Sequence, residues 1–136
     1  MVKYMNDTLK QIQQFHGHLG PYAVIGFRMG KIANEKLGSD PFCKKAVVWT
    51  GTKPPLSCIV DGIQMSSGCT LGKGNLTVKD EGVPKAHFST NDGKKFKIRL
   101  KNLIQNEIDT TVTEENIINY SECIFEKSDT ELFDFY

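Results

Sequence analysis

Ala86-His87-Phe88-Ser89-Thr90-Asn91-Asp92-Gly93-Lys94-Lys95-Phe96-Lys97-Ile98-Arg99-Leu100 is the stretch whose reading decides the fold. Its two halves alternate apolar with polar residues around Asn91-Asp92-Gly93, the composition of a hairpin turn. Leu76-Thr77-Val78-Lys79 alternates in the same way and is closed by Asp80-Glu81-Gly82. The three segments therefore read as an antiparallel meander with one solvated face. Lys94, Lys95, Lys97, Arg99 and Lys101 put mostly charge on one face of the last strand, opposite Phe96, Ile98 and Leu100. No aromatic interleaves with those charges on that same face, so the run reads as a solvated sheet edge rather than a nucleic-acid platform.

Upstream the pattern changes period. Leu9, Ile12 and Phe15 suit one face of a helix over 8–15, ended by His16-Gly17-His18. After Pro21, a good first-turn residue, a second helix continues and stops near Gly38. Gly26 and Gly30 lie four apart on one side of it, which predicts close approach by another backbone, against an intrinsic cost of roughly 1 kcal/mol per glycine. Ala46-Val47-Val48-Trp49-Thr50 reads as a buried strand with Trp49 in the core, and Ser57 as the cap of a helix over 58–67. Thr113, before Glu114 and Glu115, marks the cap of a last helix carrying Ile117, Ile118 and Ile124, and Leu132-Phe133-Asp134-Phe135-Tyr136 a terminal strand. Helices come first, strands then cluster, and no βαβ alternation is sustained. The expected class is α+β: N-terminal helices on one face of an antiparallel or mixed sheet, with a C-terminal helix and terminal strand.

At 136 residues, 39% hydrophobic and 24% charged, residues 1–136 fit a single domain with one core. No apolar run approaches the roughly 20 residues that cross a bilayer, and Met1-Val2-Lys3-Tyr4 lacks the apolar stretch of a signal peptide. The expectation is a cytoplasmic protein without a membrane contact. Cys43, Cys58, Cys69 and Cys123 are then reduced thiols, and the lack of any CxxC pair argues against a zinc knuckle, a redox motif or an Fe–S cluster. Charge is lopsided: residues 1–106 carry sixteen Lys/Arg against seven Asp/Glu (+9), and 107–136 one against nine (−8). An acidic element packed near the basic one, or near a symmetry mate, explains this more simply than nucleic acid does.

Three constellations could carry chemistry. In Phe15-His16-Gly17-His18-Leu19-Gly20-Pro21, two imidazoles could reach one ion if the backbone turned at Gly17; equally, one could cap a carbonyl and the other face solvent. In Ser57-Cys58-Ile59-Val60-Asp61-Gly62-Ile63-Gln64, Cys58 falls in a first helical turn, where free N–H groups favour the thiolate a ligand or nucleophile needs. Asp61 is one turn on, placed to hydrogen-bond a ligand, and Gln64 one turn beyond. A small buried hydrophobe is the commoner fate of a free cysteine. In Gly68-Cys69-Thr70-Leu71-Gly72-Lys73-Gly74-Asn75-Leu76, the glycines and lysine are one residue short of a nucleotide P-loop, and Gly74 stands where the magnesium-binding hydroxyl belongs, so no nucleotide is expected. Cys69, Thr70, Lys73 and Asn75, with Gln64, could still form an anion or substrate site, or the glycines could merely turn the chain. Eleven residues separate Cys58 from Cys69, roughly 16 Å along a helix, so they should not share an ion. His16, His18 and Cys58 could, as an open zinc-type site, with Cys69 at a second position facing a partner. Cys43 and Cys123 lack polar company and read as inert, and His87 as a pocket or surface residue.

Taken in order, Phe-His-Gly-His-Leu-Gly-Pro, Gly-Phe-Arg-Met-Gly, Cys-x-x-Asp-Gly-Ile-Gln and Gly-Cys-Thr-x-Gly-Lys-Gly-Asn-Leu resemble the FmdE family of formylmethanofuran dehydrogenase proteins over about 15–80. The resemblance implies an α+β core domain, an intertwined homodimer and a metal-binding accessory role beside a molybdenum or tungsten enzyme of one-carbon metabolism, the carbon dioxide reduction of methanogenesis. It implies that His16, His18 and Cys58 match the family's Cys/His positions, with Cys69 and Lys73 in its second signature. Two departures from the family pattern stand out: Gly20 occupies a position where many relatives carry cysteine, and the C-terminal zinc ribbon into which many relatives continue is not expected within residues 1–136. The alternative is a small stand-alone enzyme using Cys58, Asp61 and Lys73.

Overall fold

A computed structural model describes residues 6–136. The elements run α1 (Asp7–His16), α2 (Pro21–Leu37), β1 (Lys44–Val48), α3 (Cys58–Ser67), β2 (Leu76–Val78), β3 (Lys85–Thr90), β4 (Lys95–Leu100), α4 (Asn102–Thr111), α5 (Ile117–Glu126), α6 (Asp129–Leu132) and β5 (Phe133–Phe135). They form the expected α+β architecture: a five-stranded mixed sheet in the order β2-β1-β3-β4-β5, with α2 packed on it.

Topology departs from the meander. β3 and β4 form the expected hairpin, Phe88 opposite Phe96 and Ala86 opposite Ile98. β2 does not pair with β3, because β1 lies between them, antiparallel to β3 and parallel to β2 with Ala46 beside Leu76. β1, α3 and β2 thus make one βαβ crossover, which alternation within each strand could not reveal, since it fixes the faces and not the neighbours. β5 completes the sheet against β4.

α2 is the hub. Ten of its residues are buried, Val24, Ile25 and Met29 among them, so apolar surface wraps it on nearly all sides. It meets α3 backbone to backbone. A Cβ added at Gly26 would lie 1.9 Å from the Ile59 carbonyl oxygen, and one at Gly62 would lie 2.0 Å from that of Ala23. The glycine pattern of the second helix predicts this approach, and Gly62 is its counterpart on the facing helix. Burying side chains such as Ile59, Ile63 and Phe88 stabilises the fold by roughly 1.5–3 kcal/mol each.

The C-terminal third refines the expectation. α4 follows β4 directly, a helix the sequence reading did not separate. α5 starts after Asn116, not Thr113; the two exchange hydrogen bonds in a turn ahead of the helix. Arg28 of α2 donates to the Ile124 and Phe125 carbonyls at the end of α5 and pairs with Asp129 at 2.7 Å. Lys101 pairs with Asp134 at 3.0 Å. Basic and acidic parts of the chain therefore do meet, as the lopsided charge suggests.

Candidate functional site

α1 is capped at its start by Asn6, whose side chain accepts from the Leu9 N–H, and at its end by Gly17 at φ 100°, a backbone state that favours glycine. The chain reverses there. His16 and His18 come to face each other, ring centroids 4.9 Å apart. His16 Nδ1 is 2.6 Å from Asp61 Oδ2 on α3, so that carboxylate fixes the ring of a nearly buried imidazole and leaves Nε2 as its second nitrogen.

A cavity of about 280 Å³ opens beside them. His16, His18 and Gly20 line it, with Tyr22 of α2, Pro54 and Pro55, Cys58 at the head of α3, and Ile108 and Asp109 of α4. His16, His18 and Cys58, from two separate motifs, thus share one cavity. Among the described residues, however, no three His, Cys, Asp or Glu side chains are gathered closely enough to hold an ion.

Cys58 does not have the activation expected of it. Ser57 is itself helical (φ −65°, ψ −11°) and its side chain caps nothing. The N–H groups of Cys58, Ile59 and Val60 donate to the carbonyls of Pro55, Leu56 and Ser57. The donors that were to stabilise a thiolate are already occupied. Burial, and then the Asp61 charge, push the Cys58 thiol up from its ordinary value.

Tyr22 and Asp109 are contributions that sequence reading missed. The Tyr22 hydroxyl donates to Asp109 Oδ1 at 2.6 Å, and burial followed by that carboxylate pushes it far above the usual tyrosine range. Eighty-seven residues separate the two, so no local pattern joins them.

The glycine-rich turn lies elsewhere; neither Gln64, Cys69, Thr70, Lys73 nor Asn75 lines the cavity. Its polar groups serve one another. The Thr70 N–H donates to Asn75, the Leu71 N–H to Gln64, the Lys73 N–H to the Thr70 hydroxyl and the Gly74 N–H to the Leu71 carbonyl. Asn75 also donates to the Pro41 and Lys44 carbonyls. Few N–H groups remain for an anion, so the reading in which glycines turn the chain describes this segment better. Cys69 is fully buried, which corrects its placement facing a partner. Behind it Lys44, also buried, donates to Asn34 and to the Gly38 carbonyl. Cys43 does have polar company: its thiol donates to Asp40 at 3.2 Å, and that contact pushes it up.

Comparison with known proteins follows the same lines. The family model described as "FmdE, Molybdenum formylmethanofuran dehydrogenase operon" matches residues 15–134. A "Probable S-adenosyl-L-methionine-binding protein" of Archaeoglobus fulgidus is 37% identical over 80 residues, 57% of this chain and 22% of that protein. The match thus spans about a fifth of that curated relative. A crystal structure of a tungsten formylmethanofuran dehydrogenase FmdE-like protein from Syntrophus aciditrophicus shares the fold, with a TM-score of 0.67 over 96% of this chain and 69% of that one, at 20% identity.

Proposed function

The chain belongs to the FmdE family, and from that premise we propose that it is a metal-binding accessory protein of molybdenum- or tungsten-dependent one-carbon metabolism, working in the cytoplasm. The observation that carries the reading is the His16–Asp61 hydrogen bond at the edge of a cavity shared with His18 and Cys58. A carboxylate that fixes one imidazole nitrogen is the usual support for a metal-bound histidine. Two nitrogens and one sulfur suit zinc in kind, and a zinc ion would bring Lewis acidity to the cavity. Gathering these donors asks the exposed His18 ring and the Cys58 side chain to turn toward His16.

A homodimer belongs to the same proposal. Phe42 and Leu71 are 76% and 79% exposed, apolar surface of the kind an interface covers. A nucleophilic Cys58 with an anion-binding Lys73 is the weaker reading, because the thiol is pushed up and Lys73 lies outside the cavity. The ligand named for the Archaeoglobus fulgidus relative is not carried over, since most of that protein lies outside the match.

Elemental analysis of protein purified without a histidine tag tests the proposal. Roughly one zinc equivalent per chain is expected after reconstitution, lost in His16→Ala and Cys58→Ser. A chain that stays metal-free overturns it. Gly20→Cys sharpens the result: a Cβ there would sit 3.1 Å from His18 Cε1 and 3.6 Å from Nδ1, so a small shift of that exposed ring admits a thiol beside it and zinc should bind more tightly.

A further inference from the structure

One face of the sheet is packed by α2; the other, with partly exposed side chains along β1, β3 and β4, carries no helix among the described residues and has its own chemistry. The outward residues of β1, β3 and β4 are Lys45, Val47, Lys85, His87, Ser89, Lys95, Lys97 and Arg99, all at least partly exposed. Trp49 continues the outward side of β1, where its N–H donates to the Lys85 carbonyl, and Tyr136 follows β5 beside Lys97. Trp49 is therefore not in the core: it is half-buried on the open face.

Three rings form a row there. The Trp49 and His87 centroids are 4.2 Å apart, and those of His87 and Tyr136 are 5.7 Å apart. His87 Nε2 and the Tyr136 hydroxyl are within 3.1 Å. Cations flank the row: the Lys85 ammonium is 4.7 Å from the Trp49 ring centre and the Lys97 ammonium 6.0 Å from that of Tyr136. Burial, then Lys97 and Lys85, push His87 down, in keeping with a basic surround. Among the described residues Lys85, Lys97 and Arg99 form no ion pair; Asp134, opposite Arg99 in the sheet, is engaged by Lys101.

We propose that this open face binds single-stranded nucleic acid, bases stacking on Tyr136 and Trp49 while Lys85, Lys97 and Arg99 hold the phosphates. The aromatics missing from the outward face of β4 are supplied by the residue after β1, by β3 and by the end of β5. That placement removes one of the two grounds on which the sequence reading sets nucleic acid aside. The other, the packing of acidic against basic elements, leaves Lys85, Lys97 and Arg99 without an ion pair among the described residues. Sheet-borne rings ringed by cations are what a sequence-tolerant single-strand site requires: every base has a π-face and every nucleotide a negative charge. A second copy of the chain is a poor occupant, because a two-fold pairing over this face sets its lysines against themselves. An acidic peptide would satisfy the cations but leave the rings unused.

The chain has one tryptophan, and it is in the row, so its emission reports occupancy directly. The full chain is titrated with a fluorescein-labelled oligothymidylate of about eight nucleotides at roughly 50 mM salt, following anisotropy and Trp49 emission. The expected result is saturable binding that quenches Trp49. Trp49→Ala and Tyr136→Ala should each lose roughly tenfold in affinity, the scale of one stacked base. Trp49→Phe, which keeps a π-face, should retain most of it, and Lys97→Gln should flatten the salt dependence. No anisotropy change overturns the proposal. So does binding that leaves Trp49 emission unchanged and tolerates Tyr136→Ala, or competition by polyglutamate or polyphosphate as strong as by the unlabelled oligonucleotide.

Discussion

Around the cavity at the head of α3, His16 is held from behind by Asp61 while His18, Cys58 and Asp109 border open space. In the turn between α3 and β2, by contrast, four successive polar contacts close on one another and the cysteine is sealed beneath them. Both stretches combine cysteine with glycine and polar residues, and both read from sequence as candidate sites. What separates them is whether the polar groups are satisfied internally. A segment whose donors and acceptors find each other is a structural brace; one that leaves donors facing a cavity can accept a guest.

Four substitutions test that contrast. The largest effect is expected from Gly62→Ala, whose new methyl would meet the Ala23 carbonyl oxygen at 2.0 Å and the Phe27 nitrogen at 2.3 Å. Prying α2 from α3 should cost at least about 3 kcal/mol, read as a lowered denaturant midpoint, and remove the cavity with the fold. Next, Asp61→Ala should weaken zinc binding by about 10- to 100-fold in a competition titration while the melting temperature barely moves. Retained affinity would mean that the His16 contact supports nothing beyond packing. Third, Asn75→Ala strips the partners of the Thr70 N–H and of the Pro41 and Lys44 carbonyls. It should lower stability by about 1–2 kcal/mol with zinc affinity unchanged. If zinc affinity falls instead, the two regions are one site. The smallest effect belongs to Lys73→Ala, an exposed side chain holding the Thr70 hydroxyl at 3.1 Å. Stability should change by less than about 0.5 kcal/mol and zinc affinity not at all.

Much of this was legible in the residues. The Gly17 reversal, the Gly26 and Gly30 approach, α3 and the β3–β4 hairpin all follow from local period and from residues with one conformational use. The partner of β2 did not, because alternation cannot say which strand lies alongside, and the parallel crossover through α3 is a long-range choice. Trp49 was misplaced for a related reason: an apolar run such as 46–50 hides which of its two faces is covered. At the site, the sequence marked His16, His18, Cys58 and Asp61, which stand at helix ends and turns. Tyr22 with Asp109 stays invisible, as their meeting depends on α4, a helix to which the sequence reading gives no assignment although Ile104 and Ile108 lie four apart on its buried side. The Ser57 cap failed because the preceding turn delivers carbonyls where the hydroxyl was expected to act.

The glycine-to-backbone seam between α2 and α3 has a bearing on selectivity. With 1.9 Å and 2.0 Å where methyl groups would stand, neither helix can slide or rotate against the other without backbone collision, so Tyr22 and Cys58 ride on one rigid jaw. Any widening needed to admit a guest must come from the opposite side, from α4 and the two prolines. A guest too large for the gap is refused by geometry, and one that fits meets a backbone wall already shaped during folding, so that the ordering left at the moment of capture falls to side chains such as His18 and Cys58.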